Sequence, residues 1–175
     1  MNVRKRSVGT GLRGSPPLSP SCCSVSGFDV ASEALEASTR AFEDARVAPR
    51  RFAFERRCHA DALEAMAATR ARDVGVLMAN LGYLPAPGLR ADERARRTRT
   101  EASTSARLVR AGTRTLRLGG VFTVVAYLGH DGGAEENEAV RRAFAELSPK
   151  DFTVVVHAVV NRKNAPVLYV CERVR

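Results

Sequence analysis

The chain has 175 residues, of which 45% are hydrophobic, and a formal net charge of +9; that length suits one domain with a real core and leaves no room for a second. Its longest apolar runs, residues 121–128 and 152–160, the latter interrupted by His157, fall far short of the ~20 residues a membrane-crossing helix needs, so a soluble protein is expected. Cys22, Cys23, Cys58 and Cys171 make no C-x-x-C and no paired spacing with histidine, which excludes a recognisable metal site or disulfide framework and fits a reducing compartment.

In chain order, residues 1–26 carry four basic side chains and no acidic one. This stretch reads as disordered, misannotated, or similar to an organellar transit peptide. Gly9-Thr10-Gly11-Leu12-Arg13-Gly14 is formally G-x-G-x-x-G, but a basic polar stretch precedes it where an apolar strand is required, and Pro16, Pro17 and Pro20 forbid the helix that should follow. Residues 27–175 are expected to form the domain. Phe28-Asp29-Val30 ends a strand, and residues 32–46 form a helix with apolar or small residues at Ala34, Leu35, Ala37, Ala41 and Phe42, capped by Ser32. Residues 51–57 alternate around Phe52 and Phe54 as a strand, and residues 61–69 form a short helix.

The run Val74-Gly75-Val76-Leu77-Met78-Ala79 reads as a buried parallel strand that delivers Asn80 to its carboxyl end, the place where open α/β sheets bind ligands. Thr100 or Ser103 caps a helix running to about residue 116, and Gly119-Gly120 turns the chain into a strand over residues 121–127. Residues 134–147 form a helix whose first turn holds Glu135 and Glu136, where the helix dipole favours negative charge. Strands over 152–160 and 167–171 close the chain as a hairpin, turned by Asn161, Asn164 and Pro166. Strands alternating with helices predict an α/β sheet, but only six credible strands are present. The missing one is the first.

Residues 90–117 hold nine arginines against three acids. Such a cluster is the electrostatic footprint of phosphate-backbone binding, with RNA the natural partner; the alternative is an arginine-rich solvated surface, since 25 of the 28 basic residues are Arg. Asn80-Leu81-Gly82-Tyr83-Leu84-Pro85 places an amide acceptor beside an aromatic face, which suits holding an amine on a flat base.

Together with Gly27-Phe28-Asp29-Val30, Cys58-His59 and Gly129-His130-Asp131-Gly132-Gly133-Ala134-Glu135-Glu136, that segment carries a family resemblance from about residue 27 to residue 172. The chain resembles the class I S-adenosyl-L-methionine-dependent methyltransferases known as rRNA methylases, some of which are tRNA 5-aminomethyl-2-thiouridine methyltransferases acting on the wobble uridine. The resemblance implies a Rossmann-like sheet whose first strand and glycine-rich loop are lacking or degenerate here. It implies S-adenosyl-L-methionine as cofactor, no metal, and methylation of an aminomethyl nitrogen on tRNA.

By the same resemblance, Asp29 accepts from the ribose hydroxyls and Ala31 offers backbone to the adenosine. Cys58, in place of the family's Ser, and His59 line the adenine. Asn80 accepts the amine hydrogens, Tyr83 stacks on or walls off the uracil, and His130 contacts phosphate or helps remove the amine's proton. Thr100 and Thr104 match a Thr-x-x-x-Thr spacing in the family, with Arg97 and Arg99 beside them as further substrate contacts; helix capping is the competing role for Thr100. Three readings therefore stand: an RNA methyltransferase, a non-catalytic RNA- or partner-binding remnant of one, or a truncated gene model of an active enzyme. Cytoplasm, plastid and mitochondrion all fit, and the oligomeric state is open, a homodimer included.

Overall fold

The computed structural model describes residues 2–4 (backbone only), 24–69, 72–81 and 101–175. The strands are β1 (Asn2–Arg4), β2 (Val25–Asp29), β3 (Phe52–Arg56), β4 (Val74–Leu81), β5 (Leu116–Ala126), β6 (Phe152–His157) and β7 (Val167–Arg173). The helices are α1 (Ser32–Asp44), α2 (His59–Thr69), α3 (Ala102–Thr115) and α4 (Gly133–Ala145). All seven strands join one sheet in the order β3-β2-β1-β4-β5-β7-β6.

β2 with β3 and β4 with β5 pair parallel, whereas β7 runs antiparallel to both β5 and β6. The central slot is the surprise. It is held by three residues of the segment that sequence reading had left out of the fold, and they run antiparallel to both neighbours. Asn2 sits opposite Gly27 and Met78, and Arg4 opposite Val25 and Val76. The chain therefore leaves β1 at the amino edge of the parallel strands, the edge at which β2 begins. The motif Gly9 to Gly14 lies outside the described residues, as do Cys22 and Cys23. The domain start expected at residue 27 falls inside β2.

The core lies between one face of the sheet and α2, α3 and α4. Leu77, Ala79 and Leu81 of β4 and Phe122, Val124 and Ala126 of β5 point into it, meeting Leu63 of α2, Leu108, Val109 and Ala111 of α3, and Val140 and Phe144 of α4. The opposite face is not covered in the same way: Val76 is half-buried, and Met78 is 44% exposed. β4 therefore alternates, and the reading of a strand buried on both faces is corrected. α1 covers that opposite face at the far edge. Its Phe42 packs on Phe52 and Phe54 with ring centroids 5.2 Å away in each case, in register with Val25 and Gly27, while Phe28 points into the core.

Several boundaries differ from the sequence reading for identifiable reasons. Ala31, not Ser32, is the N-cap of α1, and Ala37 and Ala41 are exposed. α2 starts at His59, two residues earlier than expected. β5 begins directly after α3, since the register jumps from Val74 opposite Leu116 to Val76 opposite Val121. Gly119 (φ +68°) and Gly120 thus form a bulge within β5 and not a turn before it. β6 ends at His157, and Asn164 at φ 54° supplies the left-handed residue that turns the chain toward β7.

α3 approaches the sheet closely at Gly112, where an added Cβ would lie 2.6 Å from Leu77 Cδ2 and 2.8 Å from Phe122 Cε1. Both contacts are with well-packed core side chains. Gly112→Ala is accordingly expected to destabilise the fold by about 1–3 kcal/mol despite alanine's better helix propensity, read as a fall in the urea midpoint at constant m-value. A raised midpoint would show that the helix is not seated as described.

Candidate functional site

Parallel strands bring their carboxyl ends to one edge, and that edge collects the candidate residues. β2 ends at Asp29, whose Oδ1 accepts a hydrogen bond from the Ala31 N–H at 2.9 Å, a local turn that starts α1. The Asp29 carbonyl accepts from the Arg57 N–H at 2.9 Å, and the Val30 carbonyl from Arg56 Nε at 3.1 Å, tying the ends of β2 and β3 together. On the other side of the central slot, Asn80 pairs with Val125 and Leu81 with Ala126. Asn80 is therefore inside β4 and exposed, one residue short of the strand's end.

Asp29 and Asn80 each lie two residues beyond the partners of Asn2, Gly27 and Met78. They flank the same slot across roughly 10 Å, two inter-strand spacings. At this edge the backbone of Phe28–Asp29 on one side and Ala79–Leu81 on the other extends past the register of β1.

Cys58 and His59 follow β3 and open α2. Cys58 is half-buried, and its carbonyl accepts from the Ala62 N–H. His59 is half-buried, its Nε2 is shielded from solvent, and that atom has no hydrogen-bond partner among the described residues. Burial pulls the imidazole down from 6.5 to about 4, although the carboxylates of Asp29 and Asp61 act in the opposite direction. At neutral pH the ring is uncharged, which suits lining an apolar base more than binding an anion.

The turn after β5 carries His130. Gly132 at φ +80° is the N-cap of α4, and an added Cβ on Gly133 would collide with the carbonyl oxygen of Tyr127, so the two glycines are dictated by a close approach of the helix start to the strand end. His130 Nδ1 lies 3.0 Å from the Asp131 carbonyl oxygen, and its Nε2 is buried 3.9 Å from Glu136 Oε2. Both ring nitrogens are thus directed into the protein.

Of the other residues singled out in the sequence, Tyr83, Arg97, Arg99 and Thr100 lie outside the described residues. Thr104 is used locally: its Oγ1 accepts from the Glu101 N–H at 3.3 Å and donates to the Glu101 carbonyl at 2.8 Å, completing a capping box with Glu101 as N-cap. Ser103 is not the cap. Ala31 likewise spends its N–H on Asp29.

The arginine cluster is partly internal. Arg107 donates to Glu64 (Nε 3.0 Å, Nη2 2.6 Å) and to Asp61 (2.7 Å), joining α3 to α2, and Arg110 pairs with Glu146 at 3.0 Å beyond α4. The Arg107 hydrogen bonds hold Glu64 below the usual carboxylate range. What sequence reading missed is Glu136, assigned there to a helix-dipole role but buried, with Ser105 Oγ donating to its Oε1 at 2.5 Å.

A parallel sheet with a reversed seventh strand, helices on both faces and its polar cluster at the carboxyl edge is the class I methyltransferase fold. Over 85% of this chain it superimposes on 74% of a Clostridium thermocellum chain described as a putative rRNA-methylase, with TM-score 0.70 and 28% identity. The chain belongs to the rRNA methylase family, since the family model described as "Putative rRNA methylase" matches residues 25–173. A putative methyltransferase from Streptococcus mutans, solved with SAH, shares the fold at TM-score 0.68 and 22% identity over 85% of this chain and 74% of that one. The chain is also 35% identical over 89 residues to the chloroplastic tRNA (mnm(5)s(2)U34)-methyltransferase of Arabidopsis thaliana. That match covers 51% of this chain and 30% of the plant protein.

No helix among the described residues is long and apolar enough to cross a membrane. The buried imidazole gives a pH test. A folded-state pKa below the unfolded one means that the unfolded chain takes up a proton the native state resists, so the His59 contribution is whole above pH 6.5 and is lost as the pH falls toward about 4. His59→Gln is expected to flatten the pH dependence of stability across that window by about 2 kcal/mol relative to the parent, allowing for the ring's partial exposure. Urea melts at pH 7 and pH 4.5 check this, and parallel profiles for the two proteins would refute it.

Proposed function

We infer that this chain is an S-adenosyl-L-methionine-dependent RNA methyltransferase that N-methylates an aminomethyl group on a tRNA wobble uridine, with residues 27–175 as the working unit. The observation that carries the reading is the placement of Asp29 and Asn80 on either side of one slot at the carboxyl edge. Membership of the rRNA methylase family supports RNA as substrate class, and the name of the plant relative supports the tRNA position. An organellar site is the corresponding reading of the word chloroplastic in that name.

The described residues fit the adenosine half of the cofactor. A carboxylate has about four acceptor positions, so Asp29 can take ribose hydroxyls with its Oδ1 already engaged by Ala31. The neutral His59 ring and half-buried Cys58 offer a weakly polar wall suited to adenine. When bound, the cofactor supplies an electrophilic methyl group on a sulfonium. Methyl transfer forms the nitrogen–carbon bond as the sulfur–carbon bond breaks and the sulfur becomes a neutral thioether; the methylated nitrogen then releases a proton to solvent.

For this displacement the chain's task is mainly positioning. The Asn80 carbonyl oxygen accepts amine hydrogens, which directs the nitrogen lone pair away from the amide and toward the methyl donor. Tyr83 would wall the uracil, with Thr100, Arg97 and Arg99 on the RNA side; Thr104 contributes by capping the helix that follows them. His130 acts from within the turn after β5, since its ring nitrogens face inward.

One observation favours a second reading. Because β1 is inverted, Arg4 and Val25 both lie at the amino edge, so the connection containing Gly9 to Gly14 starts and ends at the edge away from Asp29. A non-catalytic RNA- or partner-binding member of the family would tolerate that arrangement. Calorimetry of S-adenosylhomocysteine on the full 175-residue chain separates the two: micromolar binding is expected for the enzyme, and a folded chain with no binding would overturn it.

Within the enzyme reading the halves of the site should separate. Asp29→Ala is expected to weaken S-adenosylhomocysteine binding by about tenfold or more, the cost of a charge-assisted hydrogen bond. Asn80→Ala should cut kcat for methyl transfer to tRNA by about a hundredfold with cofactor affinity within about threefold. Full activity in Asn80→Ala would remove the proposed amine acceptor.

A further inference from the structure

Glu136 is the only buried carboxylate among the described residues, at 1% exposure. Oε1 accepts the Ser105 hydroxyl at 2.5 Å. Oε2 is shielded from solvent, has no hydrogen-bond partner among the described residues, and lies 3.9 Å from His130 Nε2. A buried carboxylate with one oxygen unanswered is costly, and three arrangements lower the cost: a counter-charge, a proton or a polar ligand.

The geometry around His130 selects among them. Nδ1 faces the Asp131 carbonyl oxygen at 3.0 Å, and that oxygen can only accept, so Nδ1 carries a hydrogen. A neutral ring protonated there would turn the bare lone pair of Nε2 toward the bare Oε2. A hydrogen on Nε2 as well removes that repulsion and supplies the counter-charge.

Three elements meet at this contact. Ser105 stands in the first turn of α3, Glu136 in the first turn of α4, and His130 in the turn leaving β5 at the candidate edge. The backbone reinforces the link, with the Gly133 N–H donating to the His130 carbonyl and the Glu136 N–H to the Gly132 carbonyl, both at 3.0 Å.

We propose that Ser105, Glu136 and His130 form a positioning unit for the methyl-transfer site, in which Glu136, held by the Ser105 hydroxyl, keeps the His130 ring doubly protonated and pins the turn after β5 against the starts of α3 and α4. Its catalytic consequence rests on the enzyme reading above, but the unit itself does not. α3 follows the segment that contains Tyr83, Arg97 and Thr100, so the contact fixes the helix to which that segment leads. None of the three side chains is assigned contact with the reacting atoms.

The test reads the imidazole directly. Side-chain ¹⁵N–¹H correlation spectra of the full chain at pH 7, with the three histidines assigned through His130→Gln, should show hydrogens on both nitrogens of His130. In Glu136→Gln the ring should change to the neutral form protonated on Nδ1 alone, and amide exchange at Asp131 and Gly132 should quicken by tenfold or more. With tRNA as substrate, kcat should fall at least tenfold while the S-adenosylhomocysteine dissociation constant stays within twofold.

Ser105→Ala, a milder change that keeps the carboxylate, should move the ring part of the way to the neutral form and lower kcat about threefold, with Ser105→Thr restoring both. It carries the test if Glu136→Gln does not fold. A neutral His130 in the parent, or a ring spectrum that both Glu136→Gln and Ser105→Ala leave unchanged, would overturn the unit. The expected spectral changes in a parent that transfers no methyl group would sink the enzyme reading and leave the positioning unit standing.

Discussion

The parallel pairing of β4 with β5 under α3 sets the position of every residue at the candidate edge. Gly112 lets the helix settle onto Leu77 and Phe122, and the alternation of Leu77, Ala79 and Leu81 into the core leaves Met78 and Asn80 on the other face. A slip of one residue would exchange those sets and bury Asn80 under α3. Register is thus fixed by apolar burial over the whole strand, and the polar residue at its end is placed as a by-product. The bulge at Gly119 and Gly120 belongs to the same constraint, because it absorbs the extra residues of β5 before the regular register with Val76 begins.

The central slot obeys a weaker constraint. Backbone hydrogen bonds between strands do not depend on side-chain type, so a short polar segment can occupy a gap between β2 and β4 in either direction. Three residues do so here, inverted, where the fold ordinarily has a longer apolar strand. The physical consequence lies at the ends. A parallel strand would hand its following loop to the carboxyl edge, beside Asp29 and Asn80, while this one hands it to the amino edge. The adenosine side of the site is built by β2, β3 and α2 and does not need β1 for its side chains. The part of the cofactor that a glycine-rich loop would hold does, and that is why binding and catalysis have to be measured separately.

What the sequence made legible follows the range of the forces involved. The strand ending at Asn80, the glycine-framed turn after β5 and the closing hairpin are written in local periodicity and in residues that tolerate positive φ, and the structure has them: Gly132 at φ +80° and Asn164 at φ 54°. The expected family and class I fold were legible as a combination of motifs that are each weak alone. Caps were not, because Ser32 and Ser103 are good cap residues that lose to Ala31 and Glu101 through partners two and three residues away. Burial of Glu136 was invisible for a stronger reason. Its first-turn position accounts for the charge without any tertiary partner, and only the approach of Ser105, 31 residues earlier, reveals the contact.

Charge clustering in the sequence overstates the charge that is free to meet RNA. Among the arginines of residues 90–117, Arg107 is engaged by two carboxylates of α2 and serves to hold α3 to α2. Replacing those partners by a phosphate would release a helix contact as well as an ion pair. Arg110 is different. Its pair with Glu146 is solvent-exposed on both sides, with side chains 52% and 58% accessible, and such pairs contribute about 0–1 kcal/mol. A phosphate carries a full charge and offers the guanidinium the same two-pronged geometry as the carboxylate, so Arg110 can change partners at little cost while Arg107 cannot. The basic surface offered to a nucleic acid is therefore set less by how many arginines the segment holds than by which of them the packing of α2, α3 and α4 has already committed.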